Sequence, residues 1–224
     1  MSTLVIRELG RQPYETTWAA MREFTDRRGP ETDDELWLLE HPPVYTQGLA
    51  GAPEHLLDTG GIPVVHTDRG GQITYHGPGQ LVGYPLLDLD RLGLGVRTLV
   101  ERIEQAIIDA LWEWGIDGRR RDKAPGVYVN RAKMASIGLK VRKGCTYHGL
   151  AFNVDMDLAP FAGINPCGFS GLSMCQLADF EPGASVQATG RVLAGKLQHR
   201  LGYGSLQFRN GLPDAAPGAA ASGA

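Results

Sequence analysis

Apolar residues recur at helical spacing at Tyr14, Trp18, Met21 and Thr25, and the run stops at Gly29-Pro30, which predicts a helix with one core-facing stripe. A longer stripe of Val96, Leu99, Val100, Ile103, Ile107 and Leu111 ends at Gly115 and predicts a second helix; Val192, Leu193, Leu197 and Leu201 before Gly202 predict a third. Between these stripes the pattern changes to short apolar runs bounded by Gly, Pro and Asn, at 36–39, 63–66, 81–87, 127–129, 134–141 and 149–154, which read as strands. The runs around Asn130-Arg131-Ala132 read as a hairpin, so pairing is antiparallel or mixed and not a regular strand–helix alternation. The expected fold is α/β of the α+β kind, with helices packed on one mixed sheet.

At 224 residues and 42% hydrophobic composition the chain suffices for one sizeable core. The stretch from Gly211 to Ala224 is almost entirely Gly, Ala, Pro and Ser, too poor in large side chains to offset the entropy of ordering it. A single domain over 1–210 and a disordered tail over 211–224 are therefore expected. The formal net charge of -3 lacks the basic excess of a nucleic-acid binder, although Arg119-Arg120-Arg121 and Lys140-Val141-Arg142-Lys143 are local positive patches. The N-terminus is charged too early for a signal peptide and no apolar run approaches the ~20 residues that span a bilayer, so a cytoplasmic protein without a membrane partner is expected. Three cysteines, at 145, 167 and 175, show neither CxxC nor zinc spacing, which predicts no disulfide framework and no metal.

Cys167 stands out among them. In Ile164-Asn165-Pro166-Cys167-Gly168 the residue before proline is pushed out of the helical region and Gly168 can take a positive φ, so a sharp turn presenting a nucleophilic thiol is expected. Cys145 and Cys175 have no such frame and read as small buried hydrophobes. Ser170 is a weaker nucleophile candidate, because Leu172 stands where the GxSxG elbow needs its second glycine. A thiol needs its thiolate, and the candidate cations or bases are Lys133, His76 and His148. Residues alone leave Lys133 open between a solvated lysine and a functional one, and leave each histidine open between hydrogen-bonded support and substrate contact. The glycine-rich stretch from Arg69 to Gln80 reads as a binding loop or bulged strand; it fits neither GxxxxGK[ST] nor GxGxxG, so ATP is not implied.

Four segments, RGGQITYHGPGQ, KMASIGLKV, TYHGLAFNVDMDL and INPCGFSG, closely resemble the lipoyl (octanoyl) transferases, over roughly Leu36 to Leu201. The resemblance implies the fold of biotin and lipoate protein ligase catalytic domains and transfer of an octanoyl group from acyl carrier protein to a lysine ε-amine of a lipoyl domain. The implied acceptors are the lipoyl domains of 2-oxoacid dehydrogenase subunits and the glycine cleavage H protein. It implies that Cys167 carries the acyl group as a thioester and that Lys133 lowers its pKa. It places acyl binding at Arg69, Gly70, Gly71, Gln72, Ile73, Thr74, Tyr75 and His76, at Ser136, Ile137 and Gly138, and at Gly149, Leu150 and Ala151. No cofactor and a monomer are expected, since moving an acyl group from thioester to thioester to amine runs without ATP.

Oxyanion donors are expected among the amides around Gly77 or in Ser136-Ile137-Gly138, and Ile73, Tyr75, Ile137 and Leu150 as the lining of an apolar slot. Arg119-Arg120-Arg121 reads as a solvated surface or as a dock for an acidic carrier. Two rival readings are an ATP-dependent lipoate-protein ligase and a non-catalytic module that binds lipoyl domains or acyl carrier protein.

Overall fold

The computed structural model of the protein describes residues 2–168 and 171–213, with Cys167 described by its backbone alone. The three expected helices are α1 (Tyr14–Arg27), α3 (Val96–Trp112) and α4 (Val186–Leu201), and a single turn, α2 (Leu89–Leu92), precedes α3. Helix α4 begins before its apolar stripe because Ser185 caps it, its side chain accepting from the Ala188 N–H at 3.2 Å. It closes at Gly202, which takes the left-handed conformation.

The expected strands appear as β2 (Asp34–Glu40), β4 (Val64–His66), β6 (Gln80–Leu86), β7 (Gly126–Val129), β8 (Ala132–Arg142) and β9 (Cys145–Asn153). Four further strands, β1 (Thr3–Arg11), β3 (Val44–Gln47), β5 (Ile73–His76) and β10 (Ser205–Asn210), lacked a clear pattern. Strand β1 lies between two neighbours with both faces largely covered, so its residues do not alternate. The hairpin is β7–β8, turned by Asn130 and Arg131 at φ 47° and 72°. Two left-handed residues make the turn whose twist matches its strands.

The main sheet runs β10-β1-β2-β6-β9-β8-β7 and is mixed, with β1 parallel to β10 and β2 and the remaining pairs antiparallel. Alternation on β2 and β6 divides the interior. Leu36, Leu38 and Leu81 pack with α3 and α4 on one face, while Trp37, Leu39, Val82 and Tyr84 pack with Met21 and Phe24 of α1 on the other. A second sheet, β4-β3-β5, adds to the single sheet expected; its Tyr45, Ile73 and Tyr75 share a small core with Phe161 and Ile164. That core ties the small sheet to the chain entering Pro166-Cys167-Gly168.

The folded chain passes the boundary expected at residue 210. Arg7 donates to the Gly211 carbonyl at 3.0 Å and Leu212 packs against the Trp37 cluster. Residues 214–224 of the expected tail lie outside the described residues. Among the described residues no helix is long and apolar enough to cross a membrane, and no group of His, Cys, Asp or Glu is arranged to hold a metal ion.

Candidate active site

Strand β8 is much longer than its neighbour β7, and their pairing ends at Gly126 opposite Ser136. Beyond Ser136 no strand among the described residues lies beside the outer edge of β8. The loop 69–72 takes that place, with the Gly70 N–H donating to the Leu139 carbonyl at 3.0 Å. A Cβ at Gly138 would stand 2.8 Å from the Gly70 carbonyl, so only glycine lets the loop lie this close. Between the loop, β8 and β9 opens a cavity of about 350 Å³.

The cavity is lined by Arg69, Gly70, Gly71, Gln72, Ile73, Thr74, His76, Lys133, Ser136, Ile137, Gly138, Gly149, Leu150 and Ala151. Every expected binding residue except Tyr75 therefore reaches one place. Tyr75 belongs instead to the small core, its ring 5.5 Å from those of Tyr45 and Phe161. Successive strand residues face opposite ways, so Thr74 and His76 line the cavity while Tyr75 does not. Ile73, at the start of β5, contributes to both. The Arg69 guanidinium bonds Thr46 and the Gly70 carbonyl, which shapes the loop.

Lys133 is buried to 1% exposure. Its Nζ donates to the Pro125 carbonyl at 2.9 Å and lies 5.4 Å from the centre of the Tyr128 ring. Register shifts beside it, where Val127 pairs with Ala135 but Tyr128 with Lys133, so Met134 is the extra residue of a bulge that re-aims the side chains. Gly126 makes the room: a Cβ there would meet the Lys133 Cε at 2.7 Å and the Ala135 carbonyl at 2.2 Å, and its φ is 132°. A lysine this buried, with its ammonium turned to a carbonyl and a ring at the cavity edge, departs from the solvated default.

The chain leaving the cysteine turn runs beside Lys133. The Lys133 N–H donates to the Ser173 carbonyl at 2.8 Å, and its carbonyl accepts from the Cys175 N–H at 3.0 Å. Pro166–Gly168 forms a single 3₁₀ turn, closed by Gly168 N–H to the Asn165 carbonyl at 3.0 Å, and Gly168 has φ 77°. The sharp bend follows the sequence expectation. A Cβ on Gly168 would contact the Gln72 side chain at 3.4 Å and His55 Nε2 at 3.2 Å, so the turn abuts the cavity loop. The Cys167 side chain and Ser170 lie outside the described residues. Cys145 and Cys175 are buried, and burial pushes the Cys175 thiol up to about 11. Neither is poised as a thiolate.

The remaining wall is aromatic and histidine-rich, with Tyr14, His76, Tyr84 and His148 lining the cavity. Burial pushes His76 down to about 3 and His41, behind it, to about 4. Both are satisfied as neutral rings. His41 Nδ1 donates to the Gln12 carbonyl at 2.6 Å and its Nε2 accepts from Tyr84; His76 Nδ1 donates to Gln80 and its Nε2 accepts from Thr46. His148 has φ 58° within β9, unusual for a non-glycine residue. Its pKa is lowered by burial, although the pull of Asp68 opposes this. Burial alone would raise Asp68, but hydrogen bonds from His148 and Tyr147 hold it well below the usual carboxylate range. With Asp68 ionised, His148 Nε2 carries the proton and donates at 2.9 Å. Both histidines are thus supports and cavity walls at once.

Tyr14, Tyr84, Lys123, Ala124, Pro125 and Leu139 also line the cavity and were not singled out by sequence. Tyr14 belonged to a helix stripe and Tyr84 to an apolar run, so nothing local separated them from core residues.

The family described as the lipoyl protein ligase A/B catalytic domain matches residues 13–198. An octanoyltransferase of Marinobacter nauticus is 58% identical over 94% of this chain and 100% of its own length. One of Halorhodospira halophila is 63% identical over 77% of this chain and 80% of its own. Among solved structures, lipoate-protein ligase A bound with ATP superposes with a TM-score of 0.78, covering 94% of this chain and 89% of that one at 16% identity. A biotin protein ligase from Aquifex aeolicus gives 0.53, with 90% and 69% covered at 10% identity. The two structures speak for the fold, as expected, while the family match and the sequence relatives carry the assignment: the chain belongs to the lipoyl protein ligase A/B catalytic domain family.

Proposed function

We propose that this protein is an octanoyltransferase that moves an octanoyl group from octanoyl-acyl carrier protein to the ε-amine of a lysine on a lipoyl domain, through a thioester on Cys167. The sequence relatives named octanoyltransferase support the acyl chemistry. The observation that carries the mechanism is the buried Lys133 on the cavity edge, hydrogen-bonded through its backbone to the chain that leaves the Pro166-Cys167-Gly168 turn.

The Cys167 thiolate attacks the donor carbonyl, and the tetrahedral oxyanion collapses as the carrier sulfur leaves and takes up a proton. A neutral acceptor amine then attacks the acyl-cysteine; the amide forms, the amine proton is lost and the Cys167 thiolate returns. Lys133, as a cation, stabilises the thiolate and hands the proton between steps. The apolar tail lies between Ile137, Leu150 and Ile73, and amides on the edge of β8 beyond its pairing with β7 offer oxyanion donors. No cofactor is needed, because each step exchanges one activated acyl bond for another or for the more stable amide. The acceptors are the lipoyl domains of 2-oxoacid dehydrogenase subunits and the glycine cleavage H protein, and the enzyme acts as a cytoplasmic monomer.

Intact mass after incubation with octanoyl-acyl carrier protein, without ATP, tests this reading. An octanoyl increment labile to hydroxylamine on the wild type, absent from Cys167→Ala, is expected. No increment with intact donor and folded protein would remove the covalent route and favour the ATP-dependent ligase.

A further inference from the structure

A second cavity, of about 720 Å³, is lined in part by Tyr128 and shares no lining residue with the first. Its lining includes Arg119, Arg120, Arg121 and Arg131, with Asp117 the one carboxylate among the lining residues. All four arginines are exposed. This basic groove stands on a chain whose formal net charge is -3. Arg119 is paired with Asp117 at 2.6 Å and Arg120 with Glu104 at 3.1 Å. Arg121 and Arg131 have no carboxylate partner among the described residues. Phe180, 38% exposed, supplies an apolar contact beside them.

The groove is joined to the catalytic cavity by one ring and one short segment. The Arg121 guanidinium lies 5.8 Å, and the Lys133 ammonium 5.4 Å, from the centre of the Tyr128 ring. The segment 119–125 lines the groove at its arginine end and the catalytic cavity at Lys123, Ala124 and Pro125. Tyr128 also donates to the Ala124 carbonyl at 3.1 Å.

We infer that this arginine groove is the docking surface for an acidic protein partner, and that the partner is the acyl-carrying donor of the proposed reaction, on which reading the inference rests. Charge complementarity selects an acidic face, since unpaired exposed arginines steer and hold carboxylates. Reach selects the donor over the acceptor. A lysine extends only its four-carbon stem, so an acceptor must sit at the mouth of the catalytic cavity. The groove shares no lining residue with the catalytic cavity and suits a body that delivers its acyl group on a long arm.

The test compares wild type with Arg121→Glu/Arg131→Glu and the milder Arg121→Gln/Arg131→Gln. Binding of acyl carrier protein is titrated at about 20 and about 200 mM salt, and transfer is timed from octanoyl-acyl carrier protein and from a small octanoyl thioester. The glutamate variant is expected to raise Kd and KM for the carrier by about tenfold or more and to lose most of the salt dependence, with the glutamine variant intermediate. Turnover of the small thioester should stay within about twofold, because neither arginine is in the chemistry. Unchanged carrier binding, equal loss with the small thioester, or a rise confined to the acceptor's KM would each overturn the assignment. Charge-dependent carrier binding by a wild type that never forms acyl-Cys167 would sink the proposed reaction and leave the docking surface standing.

Discussion

At the scale of single residues, the cavity wall includes Lys133, a lysine buried where lysines are rarely found. Lys133→Ala should lower the rate of octanoyl transfer by about 10²–10⁴-fold, and Lys133→Arg should not restore it, since a guanidinium does not give up its proton. Single-turnover transfer with each variant reads this directly. The neighbouring histidines set an acid limit. His41 and His76 are neutral in the folded chain with pKa values pushed down to about 4 and about 3, against about 6.5 when unfolded. Below about pH 6.5 the unfolded chain takes up protons that the folded one refuses, so stability is complete above that pH and is lost progressively as pH falls toward the folded values. Tm measured from pH 7.5 to about 4.5 should decline, and His41→Gln should flatten the slope. The sharp turn that carries Cys167 was legible in its Pro-Cys-Gly frame, because the φ restrictions of Pro166 and Gly168 are local. The burial of Lys133 was not legible from spacing, because it depends on a bulge and on Gly126, both set by pairing between strands.

At the scale of elements, the cavity exists because β7 stops at Gly126 while β8 runs on to Arg142. Gly126→Ala would drive a Cβ into the Ala135 carbonyl and the Lys133 Cε. It should cost about 1–3 kcal/mol in stability and reduce transfer more than a stability loss of that size explains. Denaturant unfolding beside activity at low temperature separates the two effects. Ser185→Ala is the contrasting case: it removes the cap of α4, which contributes no residue to the cavity lining, and should cost about 1 kcal/mol with transfer unchanged. The three helices, from their apolar stripes, and six strands, from short apolar runs bounded by Gly, Pro and Asn, were readable in advance. Strands β3 and β5 mix Thr, Gln and His with their apolar residues and so form no continuous apolar run, and β1 was too evenly buried to alternate.

At the scale of the whole molecule, the order β10-β1-β2-β6-β9-β8-β7 brings residues 69–76, 133–138 and 148–151 to one cavity although they are distant in sequence. Deleting 214–224, which are poor in large side chains, should leave Tm and transfer unchanged, whereas cutting before Gly211 should lower Tm by removing the Arg7 and Leu212 contacts. A thermal melt of both truncations checks this. Legible in the sequence were the helices, most strands, the turn around Cys167, the segments that carry the family resemblance and the mismatch of the glycine-rich stretch to GxxxxGK[ST]. These are local properties, written in periodicity, in the φ restrictions of proline and glycine, and in residue type. Contacts between distant segments were needed to bury Lys133 beside the chain leaving that turn, to face Tyr75 away from the cavity, and to gather four arginines into a groove lined by Tyr128. Those placements depend on strand order, register and a bulge, which arise from contacts between segments far apart in the chain and leave no trace in any one of them.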